Sequence, residues 1–138
     1  MSSPLSLARI RNDLRAFQKH EVVLYGSSAT NTSTSRSDLD IAIITRNNNP
    51  AKNKKFWLQA LGLVPEQYDL KVFELLPLEI KAAIIDRHRL IFGDAVKISE
   101  YFYHFRKLWA DVKPRYYAHQ FQSITEKMKV MERSNPYH

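Results

Sequence analysis

Two short apolar runs, separated by a polar loop that ends in a pair of aspartates, most constrain how this chain can fold. The first run, residues 22–25 (VVLY), ends at Gly26, and the second, residues 41–44 (IAII), directly follows Asp38 and Asp40. Unbroken apolar runs of this length predict strands buried within a sheet. Side chains two residues apart on a strand point to the same face, so the two carboxylates converge on one point. Charges that close require a cation or a proton, and Mg²⁺ is favoured because it accepts hard oxygen ligands and phosphate oxygens together.

Length and composition limit the kinds of protein that this chain can be. Its 138 residues predict one domain, and the absence of cysteine excludes disulfides, thiolate zinc sites and a cysteine nucleophile. The 21 basic residues exceed the 14 acidic ones, for a net charge of +7. This surplus attracts polyanions such as nucleotides, RNA or an acidic partner, but its even spread is equally typical of a solvated surface, so nucleic acid is not expected as the main partner. No stretch approaches the roughly 20 apolar residues of a membrane span, and we expect a cytoplasmic protein without a membrane partner.

The remaining pattern predicts an α+β fold with a small mixed sheet. Apolar periodicity predicts a helix near the N-terminus, and alternation predicts a third strand. After Gly93 the pattern changes to a long aromatic stripe, an interruption at Pro114, and a second stripe, which predicts either a helical hairpin or a kinked helix. The predicted segments are residues 7–17, 56–61 and 77–85 for helices, residues 68–73 and 89–92 for strands, and residues 98–112 and 117–131 for the two stripes.

Several residues supply parts that phosphoryl or nucleotidyl transfer requires. Asp69 heads the third predicted strand and becomes a third carboxylate if that strand lies beside the second. Gly26 and Ser27 can present backbone N–H groups and a hydroxyl to phosphate oxygens. Such chemistry commonly uses two metal ions roughly 3.5–4 Å apart that bind the attacking and leaving oxygens. Each residue also has a structural alternative, because aspartate, glycine and serine are frequent turn residues.

The arrangement of Gly26-Ser27, a ten-residue spacer, Asp38-Leu39-Asp40 and a later lone Asp69 resembles a known signature. It is similar to that of the polymerase-beta-type nucleotidyltransferases, and in particular to the minimal nucleotidyltransferases (MNT). The resemblance covers roughly residues 5 to 95. It implies a small mixed sheet with helices on one face, and a division into a nucleotidyltransferase domain (residues 1–95) and a C-terminal helical extension (residues 96–138) packed on it as one structural unit.

The resemblance further implies Mg²⁺-dependent transfer of AMP from ATP to a hydroxyl group. Asp38, Asp40 and Asp69 would hold two Mg²⁺ ions and form the catalytic set, and Asp69 would also help to deprotonate the acceptor. Gly26 and Ser27 would bind the β- and γ-phosphates. Many such proteins are type VII antitoxins that adenylylate a tyrosine of a HEPN-type toxin. The aromatic C-terminal stripes would then be the docking surface, in a hetero-oligomer or a homodimer.

One departure from the family pattern leaves a second hypothesis open. Where the family carries Arg and Gly after Gly-Ser, this chain reads SATN at residues 28–31. Arg36 is included as a nucleotide-binding candidate that could replace the missing charge, as could Lys71, although both are more typical of solvated or ion-paired residues. A chain with a degenerate site would act as a non-catalytic antitoxin that occludes its partner through the C-terminal helices. Transfer to a small molecule or to an RNA 3′ end remains a third option.

Overall fold

A computed structural model of the protein describes residues 6–26 and 39–134, with side chains through residue 131. The helices are α1 (Leu7–Asp13), α2 (Pro50–Leu61), α3 (Leu78–Asp86) and α4 (Ala95–Ser134). The strands are β1 (Glu21–Tyr25), β2 (Leu39–Ile44), β3 (Tyr68–Val72) and β4 (His88–Phe92). Short 3-10 turns lie at Arg15–Phe17 and Phe73–Leu75.

The four strands form one mixed sheet in the order β3-β2-β1-β4. β1 runs antiparallel to both β2 and β4, whereas β2 and β3 are parallel. The parallel pair is possible because α2 returns the chain between those strands. The α+β class with a small mixed sheet is therefore confirmed, and all four strands that the sequence predicted are present.

Alternation along the strands divides the core into two layers, one on each face of the sheet. On one face α1 and α2 pack against alternate strand residues, including Leu24 and Ile41. On the other face α3 and α4 pack against Val23 and Ala42. The expectation that helices lie on one face is corrected, because strand residues on both faces are apolar and each face therefore requires cover.

Helix ends follow the local sequence. Asn49 caps α2 by accepting hydrogen bonds from the backbone N–H groups of Ala51 and Lys52, and Pro50 occupies the first helical turn. Asp94 accepts from the N–H of Val96 at 2.8 Å at the start of α4. α4 then continues through Pro114 as one helix. Of the two predicted alternatives, the hairpin is therefore wrong: the residues on both sides of the proline belong to one helix, although the proline ring removes a backbone donor.

Polar side chains close the end of the sheet at which β2 stops. Glu74 accepts hydrogen bonds from the backbone N–H groups of Thr45 and Arg46, at 3.0 and 2.9 Å, and from the Tyr101 hydroxyl at 2.7 Å. Arg46 in turn forms an ion pair with Glu21 at 2.5 Å. This cluster ties α4 to the sheet at the end opposite to Asp40 and Asp69.

Among the helices that the structure describes, none is long and apolar enough to cross a membrane.

Candidate active site

One row of polar side chains crosses the sheet near the end where β1 stops and β2 begins. Asp40 is the parallel register partner of Asp69. Tyr25 pairs with Asp40 on one side and with His88 on the other. Directly paired residues present their side chains on the same face, so the row reads Asp69, Asp40, Tyr25 and His88 across four strands. Parallel neighbours lie about 4.8 Å apart, which brings the two carboxylates together.

Gly26 forms a tight corner against this row. Its φ is +76°, which favours glycine, and a Cβ built there would overlap Oδ2 of Asp40 and lie 3.3 Å from its Cγ. The backbone after β1 therefore passes directly beside the Asp40 carboxylate. The predicted approach of the glycine turn to the carboxylates is present in the described part of the chain.

The electrostatics of the row agree with this geometry. Burial, together with the negative charges of Asp40 and Asp69, raises the pKa of Tyr25 to about 12. The phenol, which is neutral at pH 7 even at its ordinary pKa, therefore stays protonated well into the alkaline range and can donate a hydrogen bond beside the two carboxylates. Lys71 lies on β3, the edge strand at the Asp69 end of the row, with its Nζ 3.6 Å from Oδ1 of Asp69.

The donor set fits a hard divalent cation. Asp40 and Asp69 present carboxylate oxygens from adjacent strands at a half-exposed position, and Mg²⁺ takes such ligands while retaining water and substrate oxygens. Within residues 6–26 and 39–131, no group of three or more potential metal-ligating side chains occurs. The two carboxylates would thus hold the ion together with groups from elsewhere, such as substrate phosphate.

Three of the predicted site residues, Ser27, Arg36 and Asp38, lie outside the described residues. The structure brings together the other three, Gly26, Asp40 and Asp69. The roles assigned to all six from the sequence stay predictions.

Two members of the row, Tyr25 and His88, were not among the residues selected from the sequence. His88 was expected to be structural, and its Nδ1 donates to the backbone oxygen of Ile84 at 2.9 Å, since a carbonyl can only accept. Tyr25 ends the first apolar run immediately before Gly26, and an antiparallel pairing of the two runs would have placed it opposite Asp40. The sequence could therefore have indicated Tyr25 if the two apolar runs had been paired as antiparallel strands.

A second feature is the exposed apolar face of the distal half of α4. Five residues at alternating four- and three-residue steps are between 54 and 73 % exposed: Tyr117, Phe121, Ile124, Met128 and Met131. We call this set the distal stripe. The first aromatic stripe behaves differently, because Ile98 and Phe102 are buried against the sheet. An exposed row of this kind, on a helix whose other half forms core, is typical of an interaction surface.

Comparison with known proteins identifies the class to which this fold and row of carboxylates belong. A family model described as "Nucleotidyltransferase domain" matches residues 7–132. The chain therefore belongs to the nucleotidyltransferase domain family, and the resemblance seen in the sequence is confirmed.

The chain is similar to individual proteins of that class and to chains of solved structures. A protein of Methanocaldococcus jannaschii, "Putative protein adenylyltransferase MJ1547", is 44% identical over 114 residues, which cover 83% of this chain and 88% of that protein. A chain in a crystal structure of a toxin–antitoxin with AMP-PNP matches with a TM-score of 0.61 and 16% identity, covering 90% of this chain and 99% of that one. A chain in a structure of the tri-AMPylated Shewanella oneidensis HEPN toxin in complex with MNT antitoxin matches with a TM-score of 0.53 and 15% identity, covering 88% and 95%. At these identities the solved structures show the shared fold.

Proposed function

We propose that this chain is a protein adenylyltransferase that transfers AMP from ATP to a tyrosine hydroxyl of a HEPN-type toxin, and so acts as a type VII antitoxin. One observation carries the proposal: Asp40 and Asp69 are register partners, and Gly26 turns against Asp40. The likeness to the M. jannaschii protein, which is named as an adenylyltransferase, supports the activity, and the likeness to chains of solved toxin–antitoxin complexes supports the partner.

The proposed transfer assigns one task to each group. The acceptor oxygen attacks the α-phosphorus of ATP, the bond to the β-phosphate breaks, and pyrophosphate leaves with the electron pair. Asp69 takes the proton of the acceptor hydroxyl. Gly26 and Ser27 bind the β- and γ-phosphates through backbone N–H groups and the serine hydroxyl, and Arg36 adds positive charge.

Asp40 and Asp69, joined by Asp38, are the proposed ligands of Mg²⁺. When bound there, two such ions neutralise the charge that develops on the phosphate oxygens. The phenol of Tyr25 is neutral at pH 7 and offers a hydrogen-bond donor to the same oxygens; burial and the two carboxylates raise its pKa above the ordinary value.

Docking is assigned to the distal stripe. Its five side chains are exposed, whereas the proximal half of α4 is committed to the core through Ile98 and Phe102. We propose that residues 1–95 carry out AMP transfer and that the extension, residues 96–138, binds the partner, within one structural unit.

The proposal is tested by incubating the protein with Mg²⁺, α-labelled ATP and a purified HEPN-type toxin. Wild-type protein should label the toxin, and Asp40→Asn should lower the rate at least about 100-fold because a required ligand is lost. Asp86→Asn is the matched control: it removes the same charge from a side chain that is 73% exposed and forms an ion pair with Arg106 at 3.8 Å. Equal labelling by wild type and Asp40→Asn would refute the chemistry.

A non-catalytic antitoxin is the second candidate, favoured by the exposure of the distal stripe. It requires that Asp40→Asn still neutralise the toxin while Phe121→Asp, in the distal stripe, does not. Truncation after Gly93 cannot make this distinction, because it also removes Ile98 and Phe102 from the core. Loss of neutralisation in Asp40→Asn, with toxin binding retained, would exclude this candidate.

A further inference from the structure

Lys71 lies on the same face of the sheet as the carboxylate pair. Along β3, residues 68, 70 and 72 are buried, and Asp69 and Lys71 alternate to the opposite face with side chains 43 and 39% exposed. In the parallel register Lys71 is the partner of Ala42, as Asp69 is the partner of Asp40. Two residues along a strand are about 6.6 Å apart, a distance that an extended lysine side chain spans.

Two contacts show the direction in which the Lys71 side chain points. The ammonium is 3.6 Å from Oδ1 of Asp69, so the side chain points back toward the row. Its Nζ is also 5.7 Å from the ring centroid of Trp57. That ring is fixed at the outer edge of β3, because its indole N–H donates to the backbone oxygen of Leu70 at 2.6 Å. Lys71 thus lies between the sheet edge and the carboxylates.

Neither contact holds the ammonium firmly. Both partners of the ion pair are more than a third exposed, so water screens the attraction. The ammonium is therefore free to exchange Asp69 for a stronger anion. A triphosphate beside the carboxylates is such an anion, since lysine binds phosphate as a compact point charge.

We propose that Lys71 is a phosphate-binding residue of this site, which exchanges its contact with Asp69 for an oxygen of the nucleotide triphosphate. The inference rests on the proposed nucleotidyltransferase function and adds a residue to it. It supplies positive charge in a chain whose residues 28–31 read SATN and contain no basic side chain.

The test measures binding of an ATP analogue with an uncleavable α–β linkage, in the presence of Mg²⁺, by calorimetry. Lys71→Met should weaken this binding about tenfold, the usual loss for one charge-assisted hydrogen bond at a half-exposed site. Lys71→Arg keeps the charge and should retain most of the affinity. Lys54→Met removes the same charge from an exposed position on α2 and should leave affinity unchanged.

A titration with Mg²⁺ alone separates a phosphate ligand from a residue that only orients Asp69. If Lys71 binds phosphate, Lys71→Met should bind Mg²⁺ at least as tightly as wild type, because a competing cation has been removed from Asp69. Parallel loss of Mg²⁺ and nucleotide binding would overturn the inference, as would equal effects of the Lys71 and Lys54 substitutions. Wild-type protein that binds nucleotide but transfers no label would refute the proposed function alone. Absence of nucleotide binding by wild type would refute both.

Discussion

Substitution of Gly26 by alanine tests whether the corner after β1 and the Asp40 carboxylate form one site. The backbone there has a φ of +76°, and an added Cβ overlaps Oδ2 of Asp40. The substitution therefore imposes a strained backbone and displaces a carboxylate, without changing charge.

The expected loss of stability follows from these two effects. A left-handed conformation costs a residue with a Cβ about 1–2 kcal/mol. Rotation of Asp40 away from its present position adds about 0.5–1.5 kcal/mol. A total of about 1.5–3.5 kcal/mol lowers the melting temperature of a chain of this length by roughly 5–14 °C. Transfer activity should fall about 100-fold, because a displacement of about 1 Å in a catalytic group has an effect of this size.

Gly62→Ala is the matched control. Gly62 has a φ of −77°, and the nearest atom to an added Cβ is the Gln59 carbonyl oxygen at 3.7 Å. Alanine fits there and should stabilise the protein by about 0.4–1 kcal/mol, since it restricts the unfolded chain. Thermal unfolding and labelled transfer are measured for both variants. If Gly26→Ala matches Gly62→Ala in melting temperature and activity, the close contact between corner and carboxylate is refuted.

Three further predictions concern the row, the core and the far end of the sheet. The pKa of Tyr25 is raised from 10.0 to about 12, so its contribution to stability is full below pH 10 and is lost as the pH rises through about 12. In denaturant unfolding, the free energy of unfolding of Tyr25→Phe should therefore fall less steeply over this pH range than that of the wild type. Phe102→Ala should cost about 3–5 kcal/mol because the ring is 2% exposed, whereas Phe121→Ala, at 73% exposure on the same helix, should stay within about 0.5 kcal/mol; similar losses would contradict the assignment of the two halves of α4. Glu74→Gln weakens the acceptor of the Tyr101 hydroxyl and should cost about 1–3 kcal/mol in chemical unfolding with unchanged label transfer, and a large loss of transfer would contradict the separation of this cluster from the site.

The sequence alone was sufficient to predict the four strands and the nucleotidyltransferase family. Short apolar runs bounded by turn residues favour buried strands, and apolar residues at three- and four-residue steps favour helices, because side chains repeat every 2.0 residues on a strand and every 3.6 on a helix. The spacing of Gly26 and Asp40 likewise carries the family signature within one local segment.

Only the tertiary structure decided which residues meet across strands. Asp69 becomes a neighbour of Asp40 because β3 joins β2 in parallel, and a shift of one residue would have turned it to the other face. Tyr25 enters the row through the antiparallel pairing of β1 with β2, and Lys71 reaches Asp69 because both side chains lie on the same face of β3. The two halves of α4 have similar apolar periodicity, but only the proximal half contacts the sheet. Periodicity defines the apolar face of a helix, whereas contact with the rest of the chain determines whether that face is buried.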